Sequence, residues 1–130
     1  MREAVIVSTA RTPIGKAYRG AFNDTSAQEL AGHAIEKAVE RAGIETNEVG
    51  DVIMGAALQQ GSSGGNIARQ AAIRAGLPVT VPGMSIDRQC ASGMMAIATA
   101  AKQMINDGMD ITVGGGCLLY TSPSPRDAYV

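Results

Sequence analysis

Four short extended runs separated by three helical stretches constrain this 130-residue chain more than any other feature of its sequence. The first run, residues 4–7, is apolar and rich in Val and Ile, and Pro13 further on stops regular pairing. A loop over residues 11–25 holds Gly15, Gly20 and Asn23-Asp24. Thr25 or Ser26 can cap the helix that follows, Glu29 has capping-box spacing from Ser26, and the first helix starts near Ala27. Its apolar positions Leu30, Ala31, Ala34, Ile35, Ala38, Val39 and Ala42 recur at three and four. Glu29, Gly32, His33, Glu36, Lys37 and Glu40 share the opposite, outer face, and Gly43 closes the helix.

Residues 51–58 carry Val52-Ile53-Met54 followed by small residues, the pattern of a second, buried strand. Gly61-Ser62-Ser63-Gly64-Gly65 reads as a flexible turn, and Asn66 caps a second helix that stops at Gly76. Residues 81–89 form the third extended segment, and a third helix runs from about Cys90 to Asp107, closed by Gly108. That helix is apolar nearly all round over its first three turns, so it expects protein on both sides. Ile111-Thr112-Val113 is the fourth strand, ending in Gly114-Gly115-Gly116. The order β-α-β-α-β-α-β predicts an α/β fold with a mostly parallel sheet packed between helices.

With 45% hydrophobic residues the chain can bury a core, and with 3% aromatics that core is built from Ala, Val, Ile, Leu and Met. A net charge of −1 lacks the basic footprint of a nucleic-acid or anionic-membrane binder, and no apolar run approaches a membrane span, so neither partner is expected. Cys90 and Cys117 show neither zinc-ligand nor disulfide-framework spacing, no metal is expected, and a cytoplasmic protein is the expectation.

In Ser85-Ile86-Asp87-Arg88-Gln89-Cys90-Ala91-Ser92-Gly93-Met94 a strand runs almost directly into the third helix, with Cys90 at the junction. Parallel sheets gather their chemistry beyond the carboxyl ends of strands. Helix N-termini favour the reactive thiolate form, and their free N–H groups can hold a developing oxyanion. Gly93 allows close backbone approach one turn in. Position alone leaves Cys90 open between an activated nucleophile and a small buried cysteine filling space.

The segment DRQCASGMMAI resembles the nucleophile motif of the thiolases, the acyl-CoA C-acyltransferases. AVIVSTARTPIGKAYRGAF, GAALQQGSSGGNIARQAAIRAGLP and ITVGGG resemble the N-terminal half of that family in the family's own order. The resemblance covers residues 1–116 and implies a thiolase-like half-domain, incomplete in itself. It also implies that Cys90 attacks a 3-ketoacyl-CoA and carries the acyl group as a thioester. Coenzyme A then enters as co-substrate with no bound cofactor, and the backbone N–H of Cys90 contributes to an oxyanion hole. Residues 84–88 would pair with their twin across a homodimer, and the full-length form is expected to be a homodimer or homotetramer. A ketoacyl synthase shares the helix-start Cys, and a non-catalytic thiolase-like protein would leave Cys90 inert; RTPIGK and RQCASGMMAI favour the thiolase reading.

The family's general-base His and second Cys lie in a C-terminal half that these residues do not include, so this polypeptide alone is expected to be inactive. His33 reads as a solvated helix residue and Cys117 receives no role. Residues 117–130, CLLYTSPSPRDAYV, hold two of the five prolines and two of the three tyrosines and resemble no part of the family, as expected of a truncated or misread coding sequence, the alternative being a genuine disordered tail with an extended Ser-Pro-Ser-Pro stretch. Gly61–Asn66 lacks the spacing of a phosphate loop, Lys16 lies in an exposed-looking loop, and Met94, Met95 and Met104 read as core fillers.

Overall fold

The computed structural model describes residues 1–15, 20–22 and 24–116; Lys16 and Cys117, with the segment that follows Cys117, lie outside the described residues. Helix α1 (Ala27–Ala42) begins where Ser26 Oγ accepts the Glu29 N–H at 3.2 Å. It ends at Gly43, whose φ of 70° lets its N–H reach Glu40 O. A 3-10 turn (Thr46–Glu48) leads to strand β1 (Asp51–Gly55), and a second (Gly61–Ser63) precedes helix α2 (Ile67–Arg74). Strand β2 (Gly83–Ile86), helix α3 (Ser92–Asn106) and strand β3 (Thr112–Gly116) complete the order.

The three strands form one parallel sheet in the order β2-β1-β3, with Gly55 opposite Ile86 on one side and Gly116 on the other. The chain steps from β1 to β2 through α2, then crosses back over β1 through α3. That reversal of winding puts the two helices on opposite faces. Val52 and Met54 point into one core with Ala31, Ile35 and Val39 of α1 and Ala68, Ala71 and Ala72 of α2. Ile53 points the other way, onto Ala96 and Ala100 of α3. Because β1 is covered on both faces, its apolar run is continuous rather than alternating. Each of these fully buried Val, Ile and Met side chains contributes about 1.5–3 kcal/mol of burial.

Several expectations are corrected. Residues 4–7 form no strand among the described residues, and Val5, Ile6 and Val7 are 66%, 77% and 76% exposed. High β-propensity makes no strand without a ladder partner, and the segment lies instead by α1, where Ser8 Oγ donates to Ala38 O and Arg41 to Thr9 O. Gly32 belongs to the inner face of α1: it is buried, and a Cβ there would lie 2.9 Å from Arg74 Cγ of α2. The strands also differ in extent, the second and third being shorter than the apolar runs that predict them and the fourth continuing through its glycines.

Helix α3 is not enclosed. Ser92, Ala96 and Ala100 face the sheet, while Met94 is 78% exposed and Ile97 44%. Met94 is therefore no core filler, and Met95 and Met104 are only half-buried; the methionine that fills the core is Met54 of β1. The helix seats closely through small residues. A Cβ at Gly114 would lie 2.9 Å from Ile97 Cα, and one at Gly55 would lie 2.2 Å from the backbone carbon of Ser92.

Candidate active site at the start of helix α3

All three parallel strands end on one edge of the sheet, and the connections from β1 to α2 and from β2 to α3 both leave from it. Cys90 lies in the second of these connections, as a free and exposed thiol. The helix that follows begins at Ser92 rather than at Cys90, with Ala91 as its N-cap. Five residues therefore turn the chain from strand to helix: Asp87, Arg88, Gln89, Cys90 and Ala91.

The turn is made by Gln89, whose φ of 49° places a non-glycine residue in the left-handed region at a cost of about 1–2 kcal/mol. Hydrogen bonds hold it there. Asp87 Oδ1 accepts from Gln89 N at 2.9 Å, Arg88 O from Ala91 N at 3.0 Å, and Gln89 O from Ser92 N at 3.1 Å. Ser92 Oγ accepts from Arg88 N at 2.8 Å and donates to Gln89 O at 2.6 Å. The N–H groups of Gln89 and Ala91, on either side of Cys90, are thus engaged within the turn.

The tight backbone approach also falls elsewhere than the sequence indicates. A Cβ at Gly93 would meet Gly116 Cα at an ordinary 3.5 Å, whereas Gly55 on β1 leaves no room at all beneath Ser92. Gly55 and Ser92 are the positions that reasoning from the sequence missed. The available signal for Gly55 was a glycine closing an apolar strand, where close approach of another backbone is a standing reason for glycine.

In the loop before α2, nearby side chains take up N–H groups at the helix start. Asn66, in the left-handed region at φ 64°, accepts from Arg69 N and from Ser85 Oγ, while Ser85 Oγ accepts from Ala68 N at 3.0 Å. Gln70 Nε2 donates to Gly64 O and Gly65 O, at 2.8 and 2.7 Å. The leading N–H groups of Ala68 and Arg69 are already bonded, so this stretch is a tied turn rather than a phosphate cradle. His33 is exposed on α1, as its sequence context indicates. Among the described residues, no group of three or more His, Cys, Asp or Glu side chains is arranged to hold a metal ion, and no helix is long and apolar enough to cross a membrane.

The fold is thus an α/β protein with a strand-to-helix elbow and a free cysteine on the carboxyl edge of a parallel sheet. Residues 4–124 match the family model for the thiolase N-terminal domain, and the chain belongs to the thiolase family. It is 47% identical to an acetyl-CoA acetyltransferase of Cupriavidus necator over 134 aligned residues, covering 99% of this chain and 34% of the relative. A 3-ketoacyl-CoA thiolase of Bacillus subtilis is 39% identical over 89% of this chain and 30% of its own length. The crystal structure of the Bacillus anthracis acetyl-CoA acetyltransferase superposes with a TM-score of 0.86 at 40% identity, over 95% of this chain and 31% of that one. The chain thus spans about a third of the length of the relatives it matches. Their names include a peroxisomal thiolase of Arabidopsis thaliana and a mitochondrial acetyltransferase of Danio rerio, so one compartment is not common to the family.

Proposed function

We propose that this chain carries the nucleophile of an acyl-CoA C-acyltransferase, which cleaves 3-ketoacyl-CoA thiolytically or condenses acetyl-CoA units in the reverse, Claisen direction. The observation that supports the reading most directly is the free, exposed Cys90 on a hydrogen-bonded elbow at the carboxyl edge of the sheet, in a chain 47% identical to an acetyl-CoA acetyltransferase. In the degradative direction Cys90 Sγ attacks the keto carbon, and negative charge develops on the carbonyl oxygen. The donor that the resemblance to thiolases implies for that oxygen is the N–H of Cys90 itself. The bond between the α and keto carbons then breaks, and acetyl-CoA leaves once its carbanion takes a proton.

The acyl group stays on sulfur as a thioester until the thiol of a second coenzyme A attacks it, which makes the kinetics ping-pong. Coenzyme A is a co-substrate in this scheme and nothing else is bound as a cofactor. The base for Cys90 and the proton donor for the carbanion are taken to be the family's C-terminal His and Cys, so residues 1–130 alone are expected to show no turnover. A homodimer or homotetramer belongs to the same proposal. Strand β2 supports it by lying at an edge of the sheet with Met84 exposed. A cytoplasmic compartment is kept as well, on cysteine usage that shows no disulfide framework.

The test is a chimera in which residues 1–116 replace the aligned stretch of the Cupriavidus relative. The chimera is expected to cleave acetoacetyl-CoA in the presence of coenzyme A. Cys90→Ala within it should lower kcat by on the order of a thousandfold while the fold is kept. A folded chimera without activity, or one whose Cys90→Ala variant keeps its rate, refutes the reading.

A further inference from the structure

Among the described residues Cys90 is exposed, so within this chain no side-chain packing orients its sulfur and the backbone on either side does. Gln89, immediately before it, is exposed as well and holds a left-handed conformation that an L-residue leaves unless something retains it. Among the described residues the buried polar side chains are Thr12, Asp51 and Ser92, of which Ser92, 4% exposed, belongs to this turn. Its backbone lies directly against Gly55 of the buried strand β1, which makes it the anchored end of the elbow. A hydroxyl carries one proton, so its two short contacts have defined senses: it accepts from Arg88 N at 2.8 Å and donates to Gln89 O at 2.6 Å.

We propose that Ser92 is a positioning residue for acyl transfer: its buried hydroxyl ties Arg88 N and Gln89 O to the anchored start of α3 and so sets Cys90 Sγ and Cys90 N–H toward the same acyl group. The inference rests on the reading of Cys90 as an acyl carrier. Acyl transfer needs the sulfur and the oxyanion donor in one fixed relation, because attack and charge stabilisation occur on a single carbonyl. Alkylation needs the sulfur alone. Loss of the Ser92 hydroxyl therefore separates the two reactions, whereas a general disturbance of the helix start slows or spares them together.

The experiment uses the whole chain at about pH 9, where a cysteine of ordinary acidity needs no protein base. S-phenyl thioacetate forms a bond from Cys90 Sγ to the acetyl carbon, the acetyl bond to the phenyl sulfur breaks, thiophenolate leaves and the thiol proton goes to solvent. Iodoacetamide forms the bond from sulfur to carbon with loss of iodide. Peptide mapping distinguishes label on Cys90 from label on Cys117.

Ser92→Ala is expected to lower the acetylation rate of Cys90 about tenfold or more while its alkylation rate stays within about twofold. Both rates unchanged, or both lowered together, overturns the proposal. Should Ser92→Ala fail to fold, amide exchange in the parent chain decides: Arg88 N–H is expected to be protected, and exchange at the rate of an unfolded peptide overturns the proposal. The acyl-carrier reading has its own control. If the parent's ratio of acetylation to alkylation at Cys90 equals that of the urea-unfolded chain, that reading fails and this inference falls with it.

Discussion

Gly55→Ala should be the most damaging one-methyl change available in the sheet. The added Cβ would lie 2.2 Å from the backbone carbon of Ser92, 2.3 Å from its carbonyl oxygen and 2.6 Å from Gly93 N. Ordinary contact begins near 3.4 Å, so β1 and the start of α3 must separate by about 1.2 Å, and no flexible side chain lies between them to yield instead. Overpacking of this kind costs about 1–3 kcal/mol, and with backbone on both sides the expected loss is at the top of that range, about 3 kcal/mol.

For a urea dependence of about 1.5 kcal/mol per M, that loss lowers the unfolding midpoint by about 2 M, read by circular dichroism in dilute solution. Gly43→Ala is the reference. Nothing lies within 4 Å of a Cβ there, so only the positive φ of 70° opposes it, for about 1 kcal/mol. If Gly55→Ala lowers the midpoint no more than Gly43→Ala does, the close seating of α3 on β1 is refuted, and with it the anchoring attributed to Ser92.

Two further substitutions probe the polar contacts that tie the elements together. Asp51 is buried, accepting from Val52 N and from Gln103 Nε2, both at 2.8 Å, while Gln103 Oε1 is buried without a partner. Asp51→Ala should cost about 1–2 kcal/mol by orphaning the Gln103 amide, since Val52 N keeps Pro82 O at 3.2 Å, whereas Asp51→Asn should cost less than about 1, since a turned Gln103 amide then offers Oε1 to the new NH₂; urea unfolding of the two variants checks the order. Asn66→Ala should cost about 2–3 kcal/mol, losing the α2 cap and the bond to Gly83 O while placing Ala at positive φ, and Asn66→Gly only about 1, because the conformation is then free. Equal losses in the two Asn66 variants, measured the same way, would show that the backbone conformation at this position carries no energy.

Local chemistry is what the chain's letters express best. The caps Ser26, Gly43 and Asn66 are legible because each satisfies a helix terminus with groups a few residues away. The alternation of strands and helices is legible for a similar reason, since each element's period shows within its own span. Residues 4–7 mark the boundary of that method. Their composition is that of a strand, yet a strand is a relation between two segments, and the sequence of one says nothing of whether the other is beside it. Gly32 fails differently: it reads as outer face by polarity, but it is the absence of a side chain that lets Arg74 of α2 lie against it. Helix α3 reads as enclosed because its letters are apolar all round, whereas enclosure depends on what packs there, and Met94 and Ile97 remain exposed.

At the candidate site the division is the same. The sequence by itself determined the parallel α/β order, the helix caps and the placing of one cysteine at a strand-to-helix junction, because these depend on residue types within a few positions of each other. Only the tertiary structure decided that Gln89 is left-handed, that the N–H groups beside Cys90 are engaged, and that Ser92 is buried on Gly55 with its hydroxyl turned back to hold the elbow. Gly55 and Ser92 are 37 positions apart, and nothing in either residue's neighbourhood records the other. Their contact exists because β1 lies at the centre of the sheet and α3 crosses it, and that crossing is a property of the packed chain.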